Sequence, residues 1–258
     1  MVITLLTDFG LTDPYVGVMK GVIFGIAPEV KIMDICHGIP PQDVDAAGFI
    51  VQRSYRYFPE ESVHCVVVDP GVGSERAVLI ARIGKTCFVA PDNGLLTRVL
   101  AEKSDFRLYH ATRPEFHLKP VSATFHGRDK FAPVAAHLAI GIKPETLGEP
   151  AETFVKSDII PPAAVPDRVI GHVVYFDRFG NAVTDIHRSM IANIPSFRIR
   201  INETVISNLS HHYSAVKEGE LAALIGSFDT LEIACRDGNA RKTLNLKSGQ
   251  EIIIEIKD

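Results

Sequence analysis

The run Val66-Val67-Val68-Asp69-Pro70-Gly71-Val72-Gly73-Ser74-Glu75-Arg76 decides how the chain is read. Three consecutive valines predict a strand buried on both faces, the pattern of a parallel sheet rather than of an antiparallel one with a wet side. The strand stops at Asp-Pro-Gly-x-Gly. Pro70 fixes the exit angle, and glycines at 71 and 73 allow positive φ or close approach to a ligand. Asp69 is therefore expected at the carboxyl end of a central strand, where open α/β sheets bind ligands. Arg76 can turn back toward it. Two readings stand for this stretch alone: a ligand site, or a tight turn with a capping Asp and a surface Arg.

Working toward the N-terminus, Val30 to Ile35 reads as a strand ending in Cys36-His37-Gly38-Ile39-Pro40-Pro41-Gln42-Asp43. Two prolines stiffen that loop, and Asp43 is an N-cap for an apolar-periodic helix through Tyr55. His37 reads first as hydrogen-bonded scaffolding and second as a ligand. Val2 to Leu6 is another short strand, ending in Thr7-Asp8-Phe9-Gly10, so Asp8 is either a turn residue or a carboxylate in the same crevice as Asp69. Asp13-Pro14 then predicts an N-cap and first helical position for a helix to about Phe24.

Working toward the C-terminus, Ala77–Ile83 and Cys87–Ala90 flank Gly84-Lys85 as a hairpin, followed by Pro91-Asp92-Asn93-Gly94 and a helix from Leu95 to about Ala101. Asp92 and Asn93 read as turn caps, with a crevice role second. Residues 102–121 are polar and irregular and read as a flexible segment. Thr124-Phe125-His126-Gly127-Arg128-Asp129 then precedes a small-residue helix over 131–139. These polar groups are a cap network or, with Asp69 and Arg76, a catalytic group containing His126. Residues 156–167 carry three prolines and disfavour helix and sheet alike. Beyond them come short strands at 169–176, 182–185, 197–201, 221–225, 231–234 and 251–256, the spacing of an antiparallel barrel or sandwich. The expectation is an α/β N-terminal domain (1–156) with a central, mostly parallel sheet, a linker (157–167), and a smaller all-β, barrel-like C-terminal domain (168–258).

Bulk properties exclude several classes. With 258 residues, 46% of them hydrophobic, the chain can bury a core and is somewhat long for one domain. Net charge is −4 with a pI near 6.2, and no Lys/Arg run occurs, against nucleic acid or an anionic membrane surface. Cys36, Cys65, Cys87 and Cys235 form no CxxC pair, against a zinc ribbon or thioredoxin-type site. No basic n-region or membrane-length apolar run is visible, so a cytoplasmic location is expected.

Taken together, the motifs at Thr7–Gly10, His37–Pro41, Val68–Gly73, Asp92–Gly94, Thr124–Asp129 and Asp177-Arg178-Phe179-Gly180-Asn181 resemble the S-adenosylmethionine hydroxide adenosyltransferase family, which is related to the S-adenosylmethionine-dependent fluorinase and chlorinase. The resemblance runs in order over nearly the whole chain. It implies an α/β plus β two-domain chain, a homotrimer with sites between neighbouring subunits, and attack of water or hydroxide on C5′ of S-adenosylmethionine to give adenosine and L-methionine. By the same resemblance Asp69, Arg76 and His126 are the catalytic group and Asp8 holds the ribose hydroxyls. Asn181 reads the adenine, on which Tyr213 stacks. Asp177 pairs with the methionine ammonium, and Ser227 binds its carboxylate. Two positions depart from the family's pattern: Arg236, often Asn, and Asp229, often Gly. Arg236 either serves the methionine carboxylate or faces solvent.

The chemistry suits these residues. A sulfonium leaves as a neutral thioether, so no general acid is needed. The difficulty is the nucleophile, which positioning and a nearby cation help. Either His126 or Asp69 can take the proton. No cofactor and no metal are expected. Two rival readings are a metal-dependent hydrolase using Asp8, His37, Asp69 and His126 as ligands, and a non-catalytic S-adenosylmethionine or adenosine binder.

Overall fold

The computed structural model describes residues 1–257. The chain divides into two compact units, Met1–Asp158 and Ile159–Asp258. In the first, strands β1 (Val2–Thr7), β2 (Lys31–Cys36), β3 (Val63–Val67), β4 (Val78–Ile83), β5 (Thr86–Pro91), β6 (Arg107–His110) and β7 (Glu149–Ala151) form one sheet in the order β2-β1-β3-β5-β4-β6-β7. Every residue of β3 is buried. It pairs parallel with β1 on one side and β5 on the other, as its valine run requires.

The sheet is mixed rather than mostly parallel. From β2 to β5 neighbours run parallel, whereas β5-β4, β4-β6 and β6-β7 are antiparallel. The difference comes from β6 and β7, which sequence reading left out. The expectation of a flexible 102–121 segment is overturned by β6, whose Leu108 and Tyr109 are buried beside β4.

Helices α1 (Tyr15–Ile26), α2 (Val44–Ser54), α3 (Thr97–Ala101), α4 (Ala132–Ala139) and α5 (Pro144–Leu147) complete this unit. Met19 and Ile23 of α1 and Ala135 of α4 share one apolar cluster with Ile3, Leu5, Cys65 and Val67. Asp43 caps α2 through Ala46 N at 2.9 Å. The expected Asp13 cap does not form: α1 begins at Tyr15, and Pro14, which has no N–H to leave orphaned, holds the cap position.

Side chains alternate along strands, so the next row across the sheet faces the opposite way. That row is Thr4, His64 and Phe88, adjacent in register across β1, β3 and β5. His64 is fully buried, with Nδ1 2.7 Å from Thr4 Oγ1 and its ring stacked 4.9 Å from Phe88. Burial pushes its pKa down from 6.5 to about 4. The folded state thus holds a neutral imidazole where the unfolded chain would take a proton. The resulting stability is complete above about pH 6.5 and is lost as pH falls toward 4. At 1.36 kcal/mol per unit this is roughly 3 kcal/mol. Urea unfolding of His64→Gln, which does not titrate, is expected to show that much less loss of stability between pH 6.5 and 4 than the parent.

The second unit is an antiparallel sheet of β8 (Ala163–Val165), β9 (Arg168–Phe176), β10 (Ala182–His187), β11 (Phe197–Ile201), β12 (Thr204–Ile206), β13 (Leu221–Ile225), β14 (Thr230–Cys235) and β15 (Glu251–Ile256), with a short helix α6 (Ala240–Thr243). The path runs β12-β11-β15-β9-β10-β14-β13. A bridge from Leu209, just past β12, to Ala223 of β13 nearly closes it into a barrel. Ile199, Ile233, Ile252 and Ile254 fill the interior. β8 lies in the stretch read as linker and pairs with β9. No helix among the described residues is long and apolar enough to cross a membrane.

Candidate active site

Parallel pairing puts four strand ends at one edge of the first unit. Thr7 of β1 is in register with Val67 of β3, and Leu6 with Cys36 of β2. Asp8, His37, Asp69 and Asn93 therefore all leave the sheet at its carboxyl edge, where crevices bind ligands. Asn93 holds the end of β3 directly, its Nδ2 donating to Val68 O at 3.0 Å.

At this edge Asp69 and Arg76 form a bidentate pair. Arg76 Nε donates to Asp69 Oδ1 at 2.7 Å, and Nη2 donates to Oδ2. Nη2 also donates to His126 Nδ1 at 3.1 Å, so its two hydrogens serve a carboxylate and an imidazole. Both side chains of the pair are more than nine-tenths buried, at 9% and 6% exposure, which makes the charge-assisted bonds strong. Phe131 lies under the guanidinium, 4.9 Å from ring centroid to Cζ.

Two loops must approach closely for this contact. A Cβ on Gly73, where φ is +84°, would sit 2.4 Å from Ala123 O. Only glycine lets the 71–74 turn lie against the loop carrying His126. On the other side a single π-turn over Gly127–Phe131 leads into α4, an irregularity common at functional sites. Pro133 has no N–H for the Asp129 carbonyl, which accepts Leu118 N at 2.8 Å instead. The Asp129 carboxylate is buried and binds Ser122 N and the Arg128 guanidinium. Burial opposes its charge, but those hydrogen bonds hold its pKa below the usual carboxylate value.

Arginine cannot accept a hydrogen bond, so His126 Nδ1 is the acceptor and its neutral ring carries hydrogen on Nε2. Burial, then Lys130, then Arg76 push the His126 pKa below 6.5, against the pull of Asp69 and Asp129. The ring is neutral at pH 7 in consequence.

A cavity of about 560 Å³ opens beside this cluster, lined among others by Asp8, Tyr15, Gln42, Asp69, Phe125 and His126. Asp8 Oδ2 accepts Gln42 N at 2.9 Å. Gln42 takes the left-handed φ of 66° that favours glycine, a local strain of the kind that collects at functional sites. Phe9, Tyr15 and Phe125 pack edge to face, with centroids 5.1 to 6.0 Å apart. These rings were missed in the sequence, although Phe9 and Phe125 stand inside its two motifs.

His37 does what its scaffold reading expected. It is buried, with Nδ1 2.8 Å from Thr7 Oγ1 and Nε2 3.1 Å from Asp34 Oδ1, while its carbonyl accepts Gly10 N. It thereby fixes the loop that presents Asp8. Among the described residues no group of three or more His, Cys, Asp or Glu side chains is placed to hold a metal ion.

The remaining candidates lie in the second unit. Asp177 Oδ1 accepts Phe179 N and Asn181 N, and its Oδ2 accepts Asn181 Nδ2 at 2.9 Å. Tyr213 is half exposed and donates its hydroxyl to Glu232 at 2.7 Å. Ser227 is exposed in the β13–β14 turn. Arg236 does not simply face solvent: Nη1 donates to Val216 O at 2.9 Å, tying down the segment after Tyr213. Asp229 stands at φ 61°, the conformation that suits glycine, and its carboxylate pairs with Arg188 at 2.8 Å.

Comparison with known proteins agrees with this division. The model of the S-adenosylmethionine hydroxide adenosyltransferase N-terminal domain matches residues 3–148, and that of the C-terminal domain matches 171–253. An (R)-S-adenosyl-L-methionine hydrolase of Thermus thermophilus is 39% identical, covering 96% of each chain. A fluorinase of Nocardia brasiliensis is 27% identical over 99% of this chain and 97% of its own. An uncharacterized conserved protein of Thermotoga maritima superposes with a TM-score of 0.91 at 36% identity, covering 98% of this chain and 99% of that one.

Proposed function

The chain belongs to the S-adenosylmethionine hydroxide adenosyltransferase family, and on that premise we propose that it hydrolyses (R)-S-adenosyl-L-methionine to adenosine and L-methionine without a cofactor. The observation that carries this reading is the buried Asp69–Arg76–His126 cluster beside a cavity at the sheet's carboxyl edge. The (R) sulfonium configuration follows the names of relatives 31 to 39% identical over nearly their whole length.

Water attacks C5′ in line with the C5′–S bond. The C–O bond forms as C–S breaks, sulfur keeps the electron pair, and methionine leaves as a neutral thioether. The water must lose a proton. His126 Nδ1 is occupied by Arg76, so Nε2–H serves as a donor that orients the oxygen. The proton passes to Asp69, whose oxygens each retain a free lone pair beyond Arg76. Arg76 lies beside the developing hydroxide and stabilises its charge. Asp8 holds the ribose hydroxyls. In the second unit Asn181 and Tyr213 take the adenine, while Asp177 and Ser227 take the methionine end. Arg236 acts on them indirectly, by holding the Val216 segment.

The proposed assembly is a homotrimer in which the first unit of one copy and the second unit of its neighbour complete each site. The division of candidate residues between two compact units supports it. An imidazole and a guanidinium beside a carboxylate make a wet, proton-handling site, whereas halide attack needs a small dry one. Hydrolysis is accordingly expected with negligible halogenation. Chromatography after incubation of each sulfonium epimer is expected to give equimolar adenosine and methionine from the (R) form. Recovery of intact substrate would favour a non-catalytic binder, and 5′-halo-adenosine as main product in high chloride would overturn the assignment of water.

A further inference from the structure

Among the described residues of the second unit this mechanism leaves two buried carboxylates unused, Asp185 and Glu232; Asp185 accepts His172 N at 2.7 Å, whereas Glu232 meets a side-chain hydroxyl. It stands in the middle of β14, opposite Val183 of β10 and Leu224 of β13. Its neighbours Leu231 and Ile233 enter the barrel core, so alternation sends Glu232 to the other face. There it is still only 7% exposed. Its hydrogen-bond partner among the described residues is the Tyr213 hydroxyl at 2.7 Å, and no basic side chain pairs with it. Burial, and then the charge of Asp177, raise its pKa. A buried carboxylate without a cation is costly to keep.

Its surroundings say what would offset that cost. A Cβ on Gly226 would stand 2.6 Å from Glu232 Oε2. The glycine therefore lets the carboxylate lie against the backbone of the turn that carries Ser227. Asp177 is close enough to act on both Glu232 and Tyr213. Two carboxylates, neither paired with a basic side chain among the described residues, thus stand together in the part of this unit given to the methionine end of the substrate.

We infer that Glu232 is a second carboxylate for the substrate's α-ammonium, acting with Asp177 as a specificity-determining residue. The inference rests on the function proposed above. An ammonium offers three donors, enough for both carboxylates, and its charge compensates the one that the fold leaves unpaired. Tyr213 holds Glu232 from the adenine side, linking the two recognition regions through one hydrogen bond.

The test compares S-adenosylmethionine with its deamino analogue, the adenosyl sulfonium bearing a butanoate chain. Glu232→Gln keeps an acceptor for Tyr213 but loses the charge, and Glu232→Met removes both at similar length. In either variant KM for S-adenosylmethionine is expected to rise at least about tenfold, the scale of a lost charged hydrogen bond, with kcat little changed. The deamino analogue, which has no ammonium to lose, should be processed by the parent and by Glu232→Gln with similar kcat/KM, whereas Glu232→Met, which also removes the acceptor for Tyr213, should cost the deamino analogue less than it costs S-adenosylmethionine. Equal losses on both substrates would overturn the inference in favour of a role through Tyr213 alone, as would an unchanged KM. Failure of the parent to act on S-adenosylmethionine would instead remove the proposed function. In that event dissociation constants for the two sulfoniums, read by calorimetry, make the same comparison with the same deciding outcomes.

Discussion

Arg76→Ala is expected to lower kcat by roughly a thousandfold, the upper end of what removing one charge-stabilising donor costs. One substitution deletes both donors to Asp69, the donor to His126, and the cation over Phe131. It also leaves Asp69 buried without a partner, so a lower melting temperature should accompany the loss. Arg76→Lys should not restore activity, because an ammonium cannot span both Asp69 oxygens and His126 in one plane. Part of the rate should return at high pH if Arg76 works by making water easier to deprotonate. A pH-independent defect in steady-state rates would contradict that role.

His126→Ala is expected to cost about a hundredfold in kcat with KM nearly unchanged, since the ring orients water rather than substrate. The pH profile gives a sharper signature. Protonated His126 has no acceptor for Arg76, so activity should fall as pH drops through the His126 pKa. Burial, Lys130 and Arg76 place that pKa below 6.5, and the acid limb should lie there. Lys130→Met removes one of the two cations and should move the limb upward toward 6.5. A limb above pH 7 in the parent would contradict the neutral imidazole.

The parallel half of the first sheet was legible because β1, β3 and β5 are rich in buried apolar residues and each of its strands stops at a Gly/Pro-marked turn. That was enough to place Asp8, His37 and Asp69 at one edge. Asp43 was legible as a cap because an apolar-periodic helix follows it. β6 was not legible, since Leu108 and Tyr109 are only two buried residues in a polar stretch. β8 and β12 have three residues each, too few for periodicity to register. Glu232 reads as an outward-facing residue between Leu231 and Ile233, and the group that covers it, Tyr213, stands 19 residues away in sequence. Which proton His126 carries required the Arg76 contact itself.

The most direct test of the central claim follows the oxygen. The protein, incubated with (R)-S-adenosyl-L-methionine in ¹⁸O-enriched water, is expected to release methionine and adenosine in equal amounts, with ¹⁸O in the adenosine 5′-hydroxyl and none in methionine. Adenosine lacking the label, or no adenosine while bound S-adenosylmethionine is recovered intact, would contradict attack of water at C5′.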